Sequence, residues 1–439
     1  MKLKDFNIST DNEKVVHYNY GKYIILDLVT LDYTVVDKIK YNQLLEEYKN
    51  YLKNKDNIVQ KEIKEGSLDN KQLADIVLIT GFDCNYECTY CYQNEYKTIK
   101  DKFKVEDLLK IKEFYNAYDS YFGTNTVIDT INLMGGEPFL DNNSELINGV
   151  FKNFSNSKIS FTTNGANIMT YKSIIESNKN NIGNVILSVD GEKKLHLKHR
   201  KARKDEYYDN IWEGLEFLLG NEIGVQINTV YHPEDSDEYI NFFDKLEKYG
   251  WLENKFSVGF TLDITKTDYN DEDNSYVNTV KDTFKSILDS DNRTQYIGQN
   301  FINYNISTMY NMIKQRDKIE PYKSCGVCSK PSYTFLPTGD IIVCLGSNNS
   351  KFKVGTYKPE ITINIDNIKE LHSRDIRTMS ECSDCEHKYF CKGGCVAKAL
   401  NNSGKLDAAY CGRWKEENYK ESLEDVLDQL IKEEIINNK

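Results

Sequence analysis

Long apolar runs are missing from this chain of 439 residues. None approaches the ~18 residues of a membrane span, and the opening MKLKDFNISTDNEK has no apolar core of a secretory signal. The expectation is a cytoplasmic protein without a membrane partner. Basic charge is also in deficit: 56 Lys and Arg stand against 68 Asp and Glu, a formal net charge of −12. Phosphate recognition wants a basic surface, so nucleic acid is not an expected partner, whereas a small molecule or a peptide is. Histidine is scarce, with six residues, none of them close to the first cysteines. Prolines also number six, and three of them (Pro321, Pro331 and Pro337) fall within seventeen residues, marking a change of architecture late in the chain.

Cysteine is what the chain has in quantity. Its eleven cysteines fall into sets that use every one. Cys84, Cys88 and Cys91 form a Cys-x3-Cys-x2-Cys triad. Cys325, Cys328, Cys344, Cys382, Cys385, Cys391, Cys395 and Cys411 crowd the last third. In a reducing cytoplasm such sets indicate metal or redox chemistry rather than disulfides. Three, four and four suit one iron–sulfur cluster with an open iron and two closed ones. Zinc remains the alternative for the paired cysteines at the back.

The length suits about two or three domains. Residues 15–36, interrupted by Asn19-Tyr20-Gly21, read as a β-hairpin or small meander. Residues 44–52 read as a helix with Leu44, Leu45, Tyr48 and Leu52 on one face. From 74 to 264, strands expected at 76–80, 130–134, 158–162, 184–189, 224–230 and 256–262 alternate with helical patterns. Among these are Val105, Leu108, Leu109, Lys112 and Tyr115, and then Ile211, Leu215 and Leu218. Such alternation predicts parallel βαβ units, and six repeats predict an α/β partial (β/α)6 TIM-type barrel. Residues 270–318 read as a helical bridge. The expected division is 1–72, a small α+β region; 73–317, barrel and bridge; 318–415, cysteine-rich; and 416–439, a charged helix with a solvated face. The cysteine-rich segment, expected to have little apolar core, would be stapled by its metals.

Thiolates are soft ligands suited to iron–sulfur clusters, and three on a four-iron cluster leave one iron open for a substrate. Here the sequence resembles the radical S-adenosylmethionine enzymes, whose signature is this spacing with an aromatic, here Tyr90, before the third cysteine. The resemblance implies S-adenosylmethionine as cofactor. The open iron would chelate its methionine part, and one electron would release a 5′-deoxyadenosyl radical that takes a substrate hydrogen. It also implies an external donor such as flavodoxin or ferredoxin. Met134-Gly135-Gly136-Glu137-Pro138 is similar to the family's GGEP element, and the glycines are expected to let backbone approach the ligand. Thr163-Asn164-Gly165 and Ser188-Val189-Asp190-Gly191, then His196 and Arg200, follow later strands. By resemblance Tyr90, Tyr92, Gly135, Gly136, Glu137, Asn164, Ser188 and Arg200 form the cofactor site. Leu197 stands where relatives often carry Asp, so His196 reads as structural. No catalytic base is assigned.

The back eight resemble the SPASM extension of these enzymes, which holds two auxiliary four-iron clusters. Position by position, one would use Cys325, Cys328, Cys344 and Cys395, and the other Cys382, Cys385, Cys391 and Cys411. Both would be closed, which implies electron carriers rather than substrate ligands. The family implication is a maturase of a ribosomally synthesised precursor peptide, installing a thioether or carbon–carbon crosslink. A formylglycine-generating or other protein-oxidising maturase is the alternative. Sulfatase maturases typically have Asp after the cysteine of Gly-x4-Cys, where this chain has Leu345. A non-enzymatic iron–sulfur electron-transfer or zinc-binding protein is the alternative of another class. The first 72 residues are read either as a leader-peptide recognition element working by strand addition or as a cap on the barrel's amino end.

Overall fold

The computed structural model describes residues 14–28, 31–53, 71–251, 253, 255–262, 301–302, 306–314, 322–385, 388–411 and 416–437. The proposed boundary near 318 and most of the proposed bridge lie outside them.

The first strands, β1 (Lys14–Asn19), β2 (Lys22–Asp27) and β3 (Tyr33–Val36), form an antiparallel meander. Tyr20 and Gly21 close the first hairpin with φ of 49° and 75°. That left-handed pair is what a two-residue turn matching strand twist requires. The helix Lys38–Lys53 includes the predicted segment, and Leu44 and Leu45 pack beside Val16, Val36 and Tyr41 on one face of the meander.

Six strands follow in chain order, each parallel to the one before: β4 (Lys71–Ile79), β5 (Asn125–Met134), β6 (Lys158–Thr163), β7 (Ile182–Ser188), β8 (Val225–Tyr231) and β9 (Ser257–Leu262). This is the partial barrel. The helix Asp107–Phe122 between β4 and β5 buries Leu108, Ile111, Phe114, Tyr115 and Tyr118. Leu109, placed on the apolar stripe from sequence, is 56% exposed. The stripe starts at Leu108 and runs on through Ile111, so its neighbour falls on the solvent side. Ile211, Leu215 and Leu218 are buried as their spacing predicts.

The sheet is larger than six strands. β10 (Phe301–Ile302) extends it beyond β9, and at the other edge β11 (Thr334–Phe335) pairs in parallel with β4. From β11 an antiparallel run continues through β12 (Asp340–Ile342), β13 (Lys353–Thr356) and β14 (Thr362–Ile363). The cysteine-rich region is thus continuous with the barrel. Tyr333, Phe335, Ile341, Val354, Tyr357, Ile368 and Leu371 are buried in the same apolar core as Phe114 and Leu133. The expectation of a core-poor segment is corrected here: pairing with β4 lets its apolar residues bury against the barrel.

The last helix, Glu416–Asn437, does more than expose a charged face. Leu423, Val426, Leu427, Leu430 and Ile431 pack against Ile24 and Leu26 of β2 and against Met309 and Ile313 of the helix Ile306–Lys314. Asp428 accepts from the Asn19 side-chain amide at 2.8 Å and lies 2.6 Å from His17 Nε2. Glu433 lies 2.8 Å from Lys314 Nζ and accepts from the Tyr310 hydroxyl at 2.6 Å. Within the described residues, the apolar clusters that hold the meander are completed by these helices and by Tyr389, Phe390 and Cys391, and not by the barrel strands. Truncating fully buried Leu427 to Ala is expected to cost about 2–5 kcal/mol, seen as a lower denaturation midpoint of the meander's fluorescence. Ile436→Ala, at a position 67% exposed, should leave that midpoint unchanged.

Candidate active site

The three front cysteines lie in the loop that leaves β4, and this loop is gripped from two sides. On one side, Gly136 N–H donates to Gly81 carbonyl and Glu137 N–H to Asp83 carbonyl, both at 2.9 Å. A Cβ on Gly136 would stand 2.0 Å from the Asp83 oxygen, and one on Gly135 (φ 137°) 2.4 Å from that of Gly81. No side chain fits there. The glycines therefore serve an approach of backbone to backbone, between the end of β5 and the cysteine loop, where sequence alone had suggested approach to the ligand.

On the other side, the helix Lys193–Arg200 ends at Lys201 with φ of 46°. The chain beyond it then runs along the loop. Thr89 N–H donates to His199 carbonyl at 2.9 Å, Glu87 N–H to Arg200 carbonyl at 3.2 Å, and Arg203 N–H to Asn85 carbonyl at 3.2 Å. Tyr86 and Ala202 form an antiparallel bridge. Nothing in the sequence signals residues 201–203 as partners of the triad, because their contribution is main-chain hydrogen bonding.

The polar side chains assigned to the cofactor site are committed largely to one another. Fully buried Glu137 accepts from Phe139 N–H (2.9 Å), the Thr163 hydroxyl (2.6 Å) and Asn164 N–H (2.8 Å), joining the ends of β5 and β6. Burial nevertheless pushes its carboxyl up to about 7, against the pull of these donors. Asn164 donates its amide to Asn85 at 2.7 Å, with Cys84 Sγ at 3.8 Å. Arg200 Nε stands 3.1 Å from the buried Asp190 carboxylate, which also accepts from Val230 N–H at 3.0 Å and from the Tyr90 hydroxyl. The guanidinium lies 5.7 Å from the Tyr90 ring centroid. Asn85 and Asp190 were not assigned from the sequence, yet they anchor two residues that were. Ser188 is half-buried at the end of β7. His196 is in the core, edge-on to Tyr86 and Tyr208.

The structure gathers the thiols in three neighbourhoods. Burial pushes Cys84 up to about 12, with the Glu137 carboxylate adding to it and Cys88 and Cys91 contributing more weakly. Cys328 is pushed up to about 12 by burial and then by Cys325. Cys344 reaches about 11 through burial, with further repulsion from Cys395 and Cys325. Cys382 reaches about 11 and Cys391 about 12 through burial, with Cys411 and Cys385 near both. Among the described residues, no three His, Cys, Asp or Glu side chains converge as the ligands of a single ion do. The chemistry of the donor sets, soft thiols without nitrogen or oxygen ligands, fits iron–sulfur clusters, whose ligands sit on separate iron atoms.

Between the front loop and the back cysteines lies a cavity of about 1190 Å³. Tyr92, Met134, Leu345 and Tyr410 line it, together with Cys344, Cys395, Lys398 and Asn401. Its wall mixes apolar side chains with polar ones, Glu95, Ser347, Asn348 and Asn349 among them, so it could hold a substrate by both shape and hydrogen bonds.

Residues 78–246 match the radical SAM superfamily. This segment carries a radical SAM domain. The chain is 24% identical over 433 residues to the radical SAM cyclopropyl synthase TigE of Paramaledivibacter caminithermalis, covering 92% of this chain and 88% of the relative. Its fold is similar to that of native anSMEcpe with bound AdoMet (TM-score 0.56, 17% identity, 83% of this chain and 99% of that one). It is also similar to anSMEcpe with bound AdoMet and the Cp18Cys peptide (TM-score 0.57, 16% identity, 84% and 100%). The radical SAM match begins in β4 and ends in the helix Tyr239–Lys248, so it includes the triad, Gly135-Gly136-Glu137 and Arg200. No helix among the described residues is long and apolar enough to cross a membrane.

Gly136→Ala tests the grip on the cysteine loop. The added methyl cannot be placed without moving the 81–83 backbone, so anaerobically purified protein should lose iron at the front set. Production of 5′-deoxyadenosine should fall at least about tenfold, a loss of ~1.4 kcal/mol of transition-state stabilisation. Gly220→Ala, with open space around the new carbon, should behave as wild type.

Proposed function

We propose that the enzyme matures a ribosomally synthesised peptide by joining two of its atoms, with carbon–carbon bond formation the favoured chemistry. The observation that carries this reading is the cavity whose wall holds both Tyr92, next to Cys91, and Cys344 and Cys395 of the back set. A substrate residue held there lies between the site of radical generation and a metal-bearing wall. The similarity to a cyclopropyl synthase supports a carbon–carbon product, and a solved structure of similar fold has both AdoMet and a peptide bound.

In this reading Cys84, Cys88 and Cys91 would hold a four-iron cluster that binds S-adenosylmethionine. Cys325, Cys328, Cys344 and Cys395 hold one auxiliary cluster, and Cys382, Cys385, Cys391 and Cys411 a second. When bound, the front cluster and its cofactor supply a primary radical able to take a hydrogen atom from carbon. The chain's own work is positioning. The Gly135-Gly136 contact and the 201–203 segment fix the front loop. Glu137, after β5, and Asn164, after β6, brace it. Ser188 and the guanidinium edge of Arg200 are the polar groups left for the cofactor's carboxylate or ribose. With all eight back cysteines used as ligands, the peptide is held by cavity side chains such as Tyr92, Lys398 and Asn401, not by iron. Joining two substrate atoms at the expense of two C–H or S–H bonds removes two electrons overall: one leaves with the abstracted hydrogen atom and the other would pass to an auxiliary cluster, while an external donor such as flavodoxin or ferredoxin would supply the separate electron that starts the reaction. The segments 1–72, 73–317, 318–415 and 416–439 divide this work between an N-terminal region, the barrel, the auxiliary sites and the closing helix, in the cytoplasm.

A protein-oxidising maturase of the formylglycine type is the second reading, favoured by the anSMEcpe-like fold. Leu345 weighs against it, since an apolar side chain lines the cavity where sulfatase maturases carry Asp. Anaerobic protein should carry about twelve irons per chain if three four-iron clusters are present. With reductant, S-adenosylmethionine and the precursor peptide encoded beside its gene, it should release 5′-deoxyadenosine and a peptide lighter by two hydrogens. A product carrying an aldehyde would establish the second reading. Colourless protein holding only zinc would remove both.

A further inference from the structure

Arg374 is 1% exposed, yet no ion pair with a carboxylate is found for it among the described residues. The adjacent Asp375 is taken by Arg377, with contacts of 2.9 and 2.6 Å from Nε and Nη2. The Arg374 guanidinium instead donates to four main-chain carbonyls. Nη2 reaches Gly393 and, at 3.3 Å, Gly394, while Nη1 reaches Leu406 and Ala408. Its Nε is buried without a hydrogen-bond acceptor. Carbonyl dipoles satisfy N–H groups, but they do not neutralise a full charge, and a buried uncompensated cation is costly.

The position of this cation is informative. Gly393 and Gly394 sit between Cys391 of one back set and Cys395 of the other, with φ of 76° and 72°. Leu406 and Ala408 belong to the stretch that leads to Cys411. Arg374 therefore holds together the two segments on which the interleaved sets cross. Burial pulls its pKa below the ordinary arginine value, and Cys328, Cys382, Cys395 and Cys391, two from each set, push it back.

We propose that Arg374 is the counter-charge shared by the two auxiliary cluster sites, placed between them so that each site is easier to reduce. This rests on the reading that both back sets hold four-iron clusters. A cluster that gains an electron gains a negative charge, and a cation fixed in a low-dielectric interior stabilises that state. The absence of a carboxylate partner among the described residues follows from the same account. An acid beside Arg374 would cancel the field that the clusters feel.

The test compares anaerobically loaded wild type with Arg374→Gln and Arg374→Lys by iron content and by potentiometric titration followed with electron paramagnetic resonance. Arg374→Gln is expected to shift both auxiliary potentials to more negative values and to leave the front cluster where it was. Arg374→Lys, which keeps the charge but not the fork, should restore most of that shift. If Arg374→Gln loads all its iron with unchanged auxiliary potentials, the proposal is wrong. If Arg374→Gln fails to retain auxiliary iron, recovery of that iron in Arg374→Lys supports the counter-charge, and no recovery reduces Arg374 to a tether for the carbonyls. Wild type carrying only about four irons would instead refute the reading beneath it, and is seen before any variant is made.

Discussion

Two strand ends meet, backbone to backbone, at Gly136 and Asp83, and the rest of the site depends on that meeting. With a Cβ confined to within 2.0 Å of a carbonyl oxygen, only glycine allows it. Once β5 is fixed against the start of the cysteine loop, the Glu137 carboxylate reaches the first turn after β6. Asn164, held by that carboxylate, reaches Asn85 between the first two cysteines. The three thiols are thereby carried on a frame of main-chain and buried polar bonds. Such a frame positions reactive groups more closely than a free loop does.

The same economy appears in the cysteine-rich region. It does not stand apart as a stapled appendage but continues the sheet from the free edge of β4. Tyr115, on a barrel helix, donates its hydroxyl to the carbonyl of Pro331 at 2.7 Å, and Lys358 meets Asp107 at 2.9 Å. These contacts set the distance between the front triad and Cys344, and so the width of the cavity between them. The back cysteines are mounted on a shared core, which makes their spacing from the front triad a property of the barrel itself.

Much of the architecture was legible in the sequence. Buried parallel strands read as short apolar runs between turn signals, and all six barrel strands overlap the segments expected for them. β5 is longer than expected because its first half, Asn125–Asp129, alternates half-buried and exposed residues and has no apolar run to show it. Less visible were groups whose role depends on long-range pairing. Ala202 beside Tyr86 and Arg374 between the two back sets have no local pattern, since each acquires its partner only when distant segments meet. The cavity was not legible for the same reason: its wall is drawn from residues as far apart as Val77 and Tyr410.

The clasp of Asp428 on His17 and Asn19 has a bearing on how the chain is made. A ribosome releases β1 and β2 first, but the surface that covers Ile24 and Leu26 emerges with the closing helix. During synthesis the opening meander must therefore wait, one apolar face bare, until nearly everything else has left the exit tunnel. A nascent chain stalled before residue 416 presents that face to chaperones, so shielding of the earliest segment reports that translation has run through the last helix.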